Sequence, residues 1–350
     1  MADSAVIARL GRDGVTVASV AAVPGGVAMQ DVQRSDQPGL DADGRPPGHV
    51  SSVLAALSEG LARDVLLVLP PDAAHLSRAT VKMPLTGAVT GAAIDEATAQ
   101  ARSAFFARDR AILTCRPFAY AVDGEPSDEA PIGARGGVLT VQAVAALSDM
   151  RTLGGFDRTF KQAGLTLAGV VSAPDALVAA LLPEGEGVGI AVGREWTVAA
   201  LASNGTAIAH ASVPIGRRHV ESDLAQAYAL EPAEAARRAD AVLAGTSSDD
   251  RAIEVAGARL AELSRLLSTT ASERDMELAG AALTGLPSHA ARQVADATAA
   301  KPVGLPKGLQ DDPLLGGAAF LALGLRGGLG AATLAEPKPR SWLAWLKARF

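Results

Sequence analysis

The chain has 350 residues, enough for two domains with a sizeable core, and its net charge of −6 argues against general nucleic-acid binding. The single cysteine excludes a disulfide framework and a cysteine-rich metal site, and the five histidines show no metal-ligand spacing. No run of 18 apolar residues occurs and the amino terminus lacks a signal pattern, so we expect a cytoplasmic protein with at most peripheral membrane contact.

The first predicted elements form a strand-rich unit. Residues 5–9 and 15–20 flank an Asp-Gly turn and predict a β-hairpin. A polar loop at 37–47 precedes a predicted helix at 50–61, where apolar residues recur at helical spacing. Residues 64–70 are almost wholly apolar and predict a strand that is buried on both faces.

Residues 78–164 predict a compact α+β insert. Its elements are a strand at 80–83, a helix at 94–107, strands at 111–122 and 137–144, and a helix at 149–163 with Ser148 as its N-cap. The chain then returns to a strand at 165–171, after which Ala173-Pro-Asp175 opens another helix.

The rest of the chain repeats the early order of elements. Strands are predicted at 187–192, 197–202 and 206–213, with a strong turn signal, Asn204-Gly205, between the last two. The later elements are helices at 220–230, 232–243, 250–270, 288–299 and 314–325 and a strand at 278–283. Strands followed by a crossing helix, twice in succession, indicate a duplicated α/β architecture.

The carboxyl end carries an amphipathic pattern. Residues 335–340 contain two prolines and favour an extended linker, and residues 341–350 predict a short helix. The apolar face of this helix and the basic residues around it are formed by Trp342, Leu343, Trp345, Leu346, Phe350, Arg340, Lys347 and Arg349. Such a helix is typical of one that lies in a lipid headgroup layer, although terminal helices also dock on their own domain.

Four segments together resemble FtsA, the bacterial cell-division member of the actin-like superfamily. They are the Gly-rich turn and helix at 41–57, the strand at 111–122 with its Pro-Phe-Ala-Tyr sequence, the helix exit at 160–167, and the Ser-Trp-Leu pattern ending in Arg-Phe at 341–350. The resemblance covers nearly the whole chain. It implies an α/β actin-like duplicated fold with an inserted α+β subdomain and a C-terminal amphipathic helix.

The resemblance also implies domain boundaries. The first actin-like half is expected at 1–77 plus 165–184, the inserted subdomain at 78–164, and the second half at 185–334 with a small subdomain at about 221–275. The linker 335–340 and the membrane-targeting helix 341–350 follow.

The nucleotide-binding turns of this family are eroded here. Where the second phosphate turn typically reads Asp-(Ile/Leu)-Gly-Gly-Gly-Thr, residues 192–197 read Val-Gly-Arg-Glu-Trp-Thr. Val192 therefore replaces the carboxylate that organises the metal, and side chains replace the three glycines that let the backbone approach phosphate. Three turns are degenerate in this way: the first phosphate turn with Gly11, the second with Val192, Gly193, Arg194, Glu195, Trp196 and Thr197, and a third, on the adenosine side, with Thr284 and Gly285.

The loss of all three nucleotide-binding turns predicts a protein that does not hydrolyse ATP. It also predicts that the chain holds no cofactor; the cofactor that the resemblance implies is ATP with magnesium. No catalytic residue and no metal ligand are predicted. Trp196 is expected to fill the phosphate space. An alternative is that Arg9, Arg12 and Arg194 converge on the cleft and pair with phosphates directly.

The resemblance implies a peripheral adaptor on the inner face of the cell membrane. Its implied partners are the tubulin-like FtsZ, bound by its carboxy-terminal peptide, anionic phospholipid, and further copies of the chain. The predicted contacts for that acidic peptide lie in the small subdomain: Arg237, Arg238, Arg251 and Arg259. Each of these arginines also fits an ordinary solvated helix face.

Two other functions stay open. One is a structural platform for a pilus or secretion machine, resembling the actin-like PilM and GspL families, which typically lack the amphipathic tail. The other is a sugar-kinase-type phosphotransferase, which needs a carboxylate base near intact phosphate turns. Asp13, Asp149 and Asp157 are candidates for that base only by residue type.

Overall fold

The computed structural model describes residues 4–12, 14–23, 26–127, 129–182, 185–303 and 312–322. Within these ranges the strands form two five-stranded sheets and one four-stranded sheet. The predicted linker 335–340 and amphipathic helix 341–350 lie outside the described residues.

The first part of the chain contains these elements: β1 (Ser4–Gly11), β2 (Gly14–Val23), β3 (Gly26–Ser35), α1 (Val50–Leu57), β4 (Asp64–Val68), β5 (His75–Pro84), α2 (Gly91–Ala104), β6 (Arg110–Val122), β7 (Glu125–Ser127), β8 (Val138–Asp149), α3 (Met150–Gln162), β9 (Thr166–Val171) and α4 (Ala173–Leu181). The second part contains β10 (Gly187–Val192), β11 (Thr197–Ser203), β12 (Thr206–Val213), α5 (Arg217–Tyr228), α6 (Pro232–Leu243), α7 (Asp250–Ser272), β13 (Ala282–Thr284), α8 (Ser288–Thr298), β14 (Lys301–Pro302) and α9 (Pro313–Ala322).

The two five-stranded sheets have the same topology. The first runs β3-β2-β1-β4-β9 and the second β12-β11-β10-β13-β14. In each, an antiparallel three-stranded meander is followed by two parallel strands. The predicted duplication is therefore confirmed. Strand β4 reads as a continuous apolar run because helices cover both faces of its sheet: Val65 and Leu67 pack with α1 and α3, and Val68 packs with α9.

Helices α4 and α9 fill the space between the two sheets. Leu177 and Val178 of α4 pack on the second sheet, whereas Leu315 and Ala318 of α9 pack on the first. Ser172 caps α4, and Pro174 occupies its first turn, so the sequence specifies where this helix begins. Its side chains are buried on all sides from residue 173 to 179, as expected for a helix held between two sheets.

The outer faces of the sheets are covered by the remaining helices of the two halves. Leu54 of α1 and Phe156 and Phe160 of α3 pack on the first sheet. On the second sheet, Leu260 and Leu263 of α7 belong to the same core as the strands and α5, α6 and α8. Helices α5, α6 and α7 lie where the small subdomain is expected, and its bounds near 221–275 stay a prediction.

The inserted region forms a sheet of its own, in the order β5-β8-β6-β7, with α2 packed on it. It also contacts the second half, because Arg78 donates a hydrogen bond to the carbonyl of Ile208 at 2.9 Å. Asn204 likewise donates to the carbonyl of Phe118 at 3.3 Å. The boundaries 78 and 164 stay predictions; the sheet begins at His75, and α3 packs on the first half.

The predicted N-cap of α3 differs from the one in the structure. Ser148 does not cap α3: the cap is Asp149, whose carboxylate accepts from the backbone N–H groups of Arg151 at 2.7 Å and Thr152 at 3.0 Å. Ser148 is buried in β8 instead, where its hydroxyl donates to the carbonyl of Ala73 at 2.7 Å. Asp and Ser are equally good N-caps, so the local sequence does not choose between them. Strand β8 extends to Asp149, and its end places the cap of α3 at Asp149.

Candidate functional site

A cleft lies between the two halves, at the ends of the hairpins β1–β2 and β10–β11. It holds a cavity of about 120 Å³. Of the degenerate turn residues, five line this cavity: Gly11, Gly193, Arg194, Glu195 and Trp196. Val192, Thr197, Thr284 and Gly285 do not line it. The structure therefore brings the first two predicted turns together and leaves the third behind them.

The second turn, residues 193–196, is closed by its own backbone. The N–H of Gly193 donates to the carbonyl of Trp196 at 2.8 Å. The carbonyls of Gly193 and Arg194 accept from the N–H groups of Arg217, at 3.1 Å, and Arg218, at 2.8 Å. These donors belong to the first turn of α5. A helix N-terminus of this kind often binds an anion, but here the hairpin turn occupies it.

Glycine at position 216 is required by this contact. A Cβ placed on Gly216 would lie 2.5 Å from the carbonyl oxygen of Arg194, closer than side chains tolerate. The N–H of Gly216 in turn donates to Nδ1 of His219 at 3.1 Å. Burial of that ring, with Arg259 nearby, lowers the pKa of His219. The imidazole therefore stays neutral and accepts this bond.

The third predicted turn supports the second from behind. Gly285 has a φ of +89°, and a Cβ there would collide with the backbone of Val192. Thr284 is buried, and the buried hydroxyl of Thr197 donates to the carbonyl of Ile215 at 2.7 Å. Gly285 is thus needed for close packing of the chain on itself.

The first turn is also closed by the chain itself. The carbonyl of Gly11 accepts from the N–H groups of Gly39 at 2.8 Å and Leu40 at 3.2 Å, so the loop at 37–47 folds onto the turn. Arg12 donates to the carbonyl of Ala42 at 3.0 Å. The backbone at the ends of both hairpins is therefore engaged within the chain.

Ion pairs cross the cleft. Arg194 lies 3.6 Å from a carboxylate oxygen of Asp36, in the first half, and 3.5 Å from one of Glu221, in α5. Arg9, at the end of β1, pairs with Asp312 at 2.7 Å, and that carboxylate also caps α9 through the N–H of Leu315. These pairs link elements that are far apart in the sequence.

The predicted convergence of arginines is found in part. Arg9, Arg12 and Arg194 all line the cavity, but the guanidinium of Arg9 is engaged by Asp312. The cavity is also lined by three residues that were not predicted from the sequence: Arg217, Arg34 and Asp312. Asp312 carried a local signal, because Asp before Pro is a common helix start. For the two arginines no local pattern marks a site.

The residues of the cleft do not fit ATP with magnesium. Val192 is 1% exposed and apolar at the position where a carboxylate would organise the metal. Among the described residues, no group of three or more His, Cys, Asp or Glu side chains is arranged to hold a metal ion. The N–H of Gly193 and the carbonyls of Gly11, Gly193 and Arg194 are bonded within the chain, and Trp196 and Arg194 occupy the lining.

The carboxylates considered as a catalytic base have structural roles. Asp149 caps α3, and Asp157, 5% exposed, accepts a hydrogen bond from Lys161 at 2.7 Å. Neither lines the cleft. Asp13 lies outside the described residues.

The predicted partner-binding arginines lie on the small subdomain and differ in availability. Arg259 is held by both carboxylate oxygens of Asp223, at 2.7 and 2.8 Å, and by Glu262. Arg237 pairs with Glu234.

The other two of these arginines stack on one aromatic ring. Arg238 and Arg251 lie 4.3 and 5.1 Å from the ring centre of Tyr228. Arg238 also pairs with Asp249 at 3.2 Å, and the hydroxyl of Tyr228 donates to the same carboxyl group at 2.7 Å. The hydrogen bond from Tyr228 lowers the pKa of Asp249, so this carboxylate stays charged. Arg251 is thus presented at the surface on a rigid base.

By sequence, the chain matches no protein family and no curated protein. By structure, it is similar to a chain of a PilM–PilN type IV pilus biogenesis complex, with a TM-score of 0.58, 17% identity, and coverage of 95% of this chain and 99% of that one. It is also similar to the ethanolamine utilization protein EutJ from Carboxydothermus hydrogenoformans, with a TM-score of 0.55, 12% identity, and coverage of 91% and 90%.

A third similar structure is MreB5 of Spiroplasma citri bound to ADP, with a TM-score of 0.52, 10% identity, and coverage of 92% and 97%. These similarities show that the chain has the actin-like ATPase fold, as predicted. At such identities they show the fold alone. The closer relation to FtsA stays a prediction. No described helix has both the length and the apolar character needed to cross a bilayer.

Proposed function

We propose that the chain is an actin-like adaptor that does not hydrolyse ATP and that tethers FtsZ-type filaments to the inner face of the cytoplasmic membrane. The proposed absence of ATP hydrolysis rests on one observation. The turns that would hold phosphate are bonded to α5 and to the loop at 37–47, and Val192 stands where a metal-organising carboxylate would be.

The membrane part of the proposal rests on the sequence of residues 341–350. Its five large apolar side chains contribute roughly 1.5–3 kcal/mol each when fully buried, and less in an interface. Each basic residue near anionic lipid adds about 1 kcal/mol. One such tail binds reversibly, whereas several tails on one filament bind tightly because the later contacts are intramolecular.

The partner-binding part rests on the small subdomain. Arg251 is exposed and held over Tyr228, so its guanidinium is positioned at little further entropic cost. An acidic peptide fits this surface. Arg259 already pairs with Asp223 and Glu262, so Arg251 is the more available contact.

Co-sedimentation with anionic vesicles tests the adaptor function. The full chain should pellet with vesicles at low salt and recruit purified FtsZ, and deletion of residues 341–350 should leave both proteins in the supernatant. Ile132→Ser removes an apolar side chain that is 67% exposed on the insert, and it should pellet like the unchanged protein. Equal pelleting of the truncated protein would refute the membrane tether.

A second candidate function is a structural platform for a pilus or secretion machine. It is favoured by the similarity to a chain of the PilM–PilN complex, which extends over 99% of that chain. A pull-down from membranes separates the two candidates. Recovery of inner-membrane pilus proteins without a tubulin-like protein supports the platform, and recovery of a tubulin-like protein supports the adaptor.

A further inference from the structure

The cavity in the cleft is lined by more positive than negative side chains. Its arginines are Arg9, Arg12, Arg34, Arg194 and Arg217, and its carboxylates are Asp36, Asp72, Glu195 and Asp312. Two of these carboxylates are engaged in close pairs, Asp312 with Arg9 at 2.7 Å and Glu195 with Arg218 at 2.8 Å. The charge left at the cavity is therefore positive.

Two guanidinium N–H groups at this cavity are buried without a hydrogen-bond partner among the described residues. They are the Nε–H groups of Arg194 and Arg217. A buried donor without an acceptor is costly, and native proteins satisfy nearly all such groups with protein, water or a bound ion. Two of them beside one cavity indicate that an acceptor belongs there.

The partners of Arg194 do not meet this need. Its distances to Asp36 and Glu221, 3.6 and 3.5 Å, are longer than a charge-assisted hydrogen bond. The side chain of Asp36 is also 91% exposed, and a contact with so exposed a charge contributes little. The Arg194 donors are thus available to a stronger acceptor.

We infer that the cleft binds a small inorganic oxyanion, of the size of phosphate or pyrophosphate, through arginine side chains and without a metal ion. Arginine suits this role because its planar donors match two oxygens of a phosphate at once. Thr16, a residue only 5% exposed, lines the same cavity. The inference does not depend on the membrane tether or on the partner.

The size and lining of the cavity argue for the anion alone over a nucleotide. Pockets for drug-sized ligands measure roughly 300–1,000 Å³. The cleft offers about 120 Å³. Because Arg34 and Thr16 come from the first half and Arg194 and Arg217 from the second, the anion would join the two halves.

Calorimetric titration of the full chain with sodium phosphate and sodium pyrophosphate tests the inference. Each titration is run in chloride buffer with EDTA and again with magnesium, and ATP forms a separate arm. Pyrophosphate should bind in EDTA, with no requirement for magnesium, and should raise Tm. Arg217→Gln and Arg194→Gln should each weaken binding by at least about tenfold, since each removes a hydrogen bond to a charged group.

Arg265→Gln is the control. Arg265 is exposed on α7 and does not line the cavity, so the variant should bind pyrophosphate like the unchanged protein. Without ligand, Arg217→Gln should keep or raise Tm, because it removes an unsatisfied buried donor. An arginine with only a structural role would lower it.

Three results would overturn the inference. The first is no binding of either anion at millimolar concentration. The second is binding that Arg217→Gln and Arg194→Gln leave unchanged. The third is binding of ATP that requires magnesium and exceeds that of pyrophosphate, which would assign the cleft to a nucleotide.

Discussion

At the scale of single residues, the pair between Arg9 and Asp312 links the first hairpin to the start of α9. The side chain of Asp312 is 8% exposed and that of Arg9 24% exposed. Arg9→Gln should lower the free energy of unfolding by about 2 kcal/mol, less than for a wholly buried pair, because it leaves a buried carboxylate unpaired. Urea unfolding measures the loss.

A double-mutant cycle controls this prediction. Asp312→Asn keeps a helix cap, so the double variant Arg9→Gln/Asp312→Asn should recover part of the stability lost in Arg9→Gln. A change of less than about 0.5 kcal/mol in Arg9→Gln would show that the pair contributes nothing measurable.

His210 gives the protein a dependence on acid. It lies on β12, and burial, followed by the charge of Arg274, lowers the pKa of His210 from 6.5 to about 4. Between these values the unfolded chain binds a proton that the folded chain does not. The free energy of unfolding should therefore be highest above pH 6.5 and fall by up to about 3 kcal/mol as the pH drops to 4.

The variant His210→Gln tests this dependence. It cannot take up the proton, so its unfolding free energy should fall less steeply between pH 6.5 and 4, while the contributions of His75 and His219 remain. Urea midpoints at pH 7 and pH 4.5 give the comparison. Parallel slopes for both proteins would assign the acid sensitivity to other groups.

The part of the site that could be predicted from the sequence is the part with local patterns. Residues 192–197 follow an apolar strand in a hairpin, so Arg194 and Trp196 were placed at the cleft correctly. Arg217 and Arg34 were missed because they reach the cavity from α5 and β3, through tertiary contacts that no local period records.

At the scale of elements, the closest contact is between α4 and α9. A Cβ on Gly317 would collide with the backbone carbonyl of Ala176. Gly317→Ala gains about 1 kcal/mol of helix propensity but overpacks the contact at a cost of roughly 1–3 kcal/mol or more. The free energy of unfolding should therefore fall, as measured by urea denaturation.

Gly257, in the middle of α7, provides the control. No atom lies within 4 Å of a Cβ placed there, so Gly257→Ala should gain the helix propensity alone and raise stability by about 1 kcal/mol. Stabilisation by both substitutions would mean that α4 and α9 move apart easily.

Elements marked by turn signals and regularly spaced apolar residues were predicted well. Elements whose formation depends on pairing with a neighbouring strand were not. The strands β10, β11 and β12 were found because turn signals and apolar runs mark them. The edge strand β3 was missed, since one of its sides is exposed and its sequence does not alternate cleanly. Strand β13 begins at Ala282, later than the apolar run at 278–283 from which a strand was predicted.

At the scale of the whole molecule, we expect α4 and α9 to make the two halves unfold as one cooperative unit, because both helices pack between the two sheets. Leu177 of α4 packs in the core of the second sheet, although the helix follows the last strand of the first. Calorimetry should show one unfolding transition. Leu177→Ala should lower the free energy of unfolding by about 2–5 kcal/mol and reduce hydrogen-exchange protection in β1 and β10 alike.

Two separated transitions, or protection lost in β10 alone, would show that the halves unfold independently. Ile253→Ala removes an apolar side chain on α7 that is 38% exposed, so it should reduce stability much less.

Helix α4 follows the first sheet in the chain but covers the second, and α9 covers the first; this arrangement has a consequence for biosynthesis. The inner face of the first sheet is covered by α9, which leaves the ribosome only after the entire second sheet. At a synthesis rate of roughly 5–20 residues per second, the side chains of Ile7 and Val20 stay uncovered for on the order of tens of seconds before α9 is made. During that interval the nascent chain presents a bare apolar surface, so its yield in cells should depend on chaperones that shield emerging polypeptides.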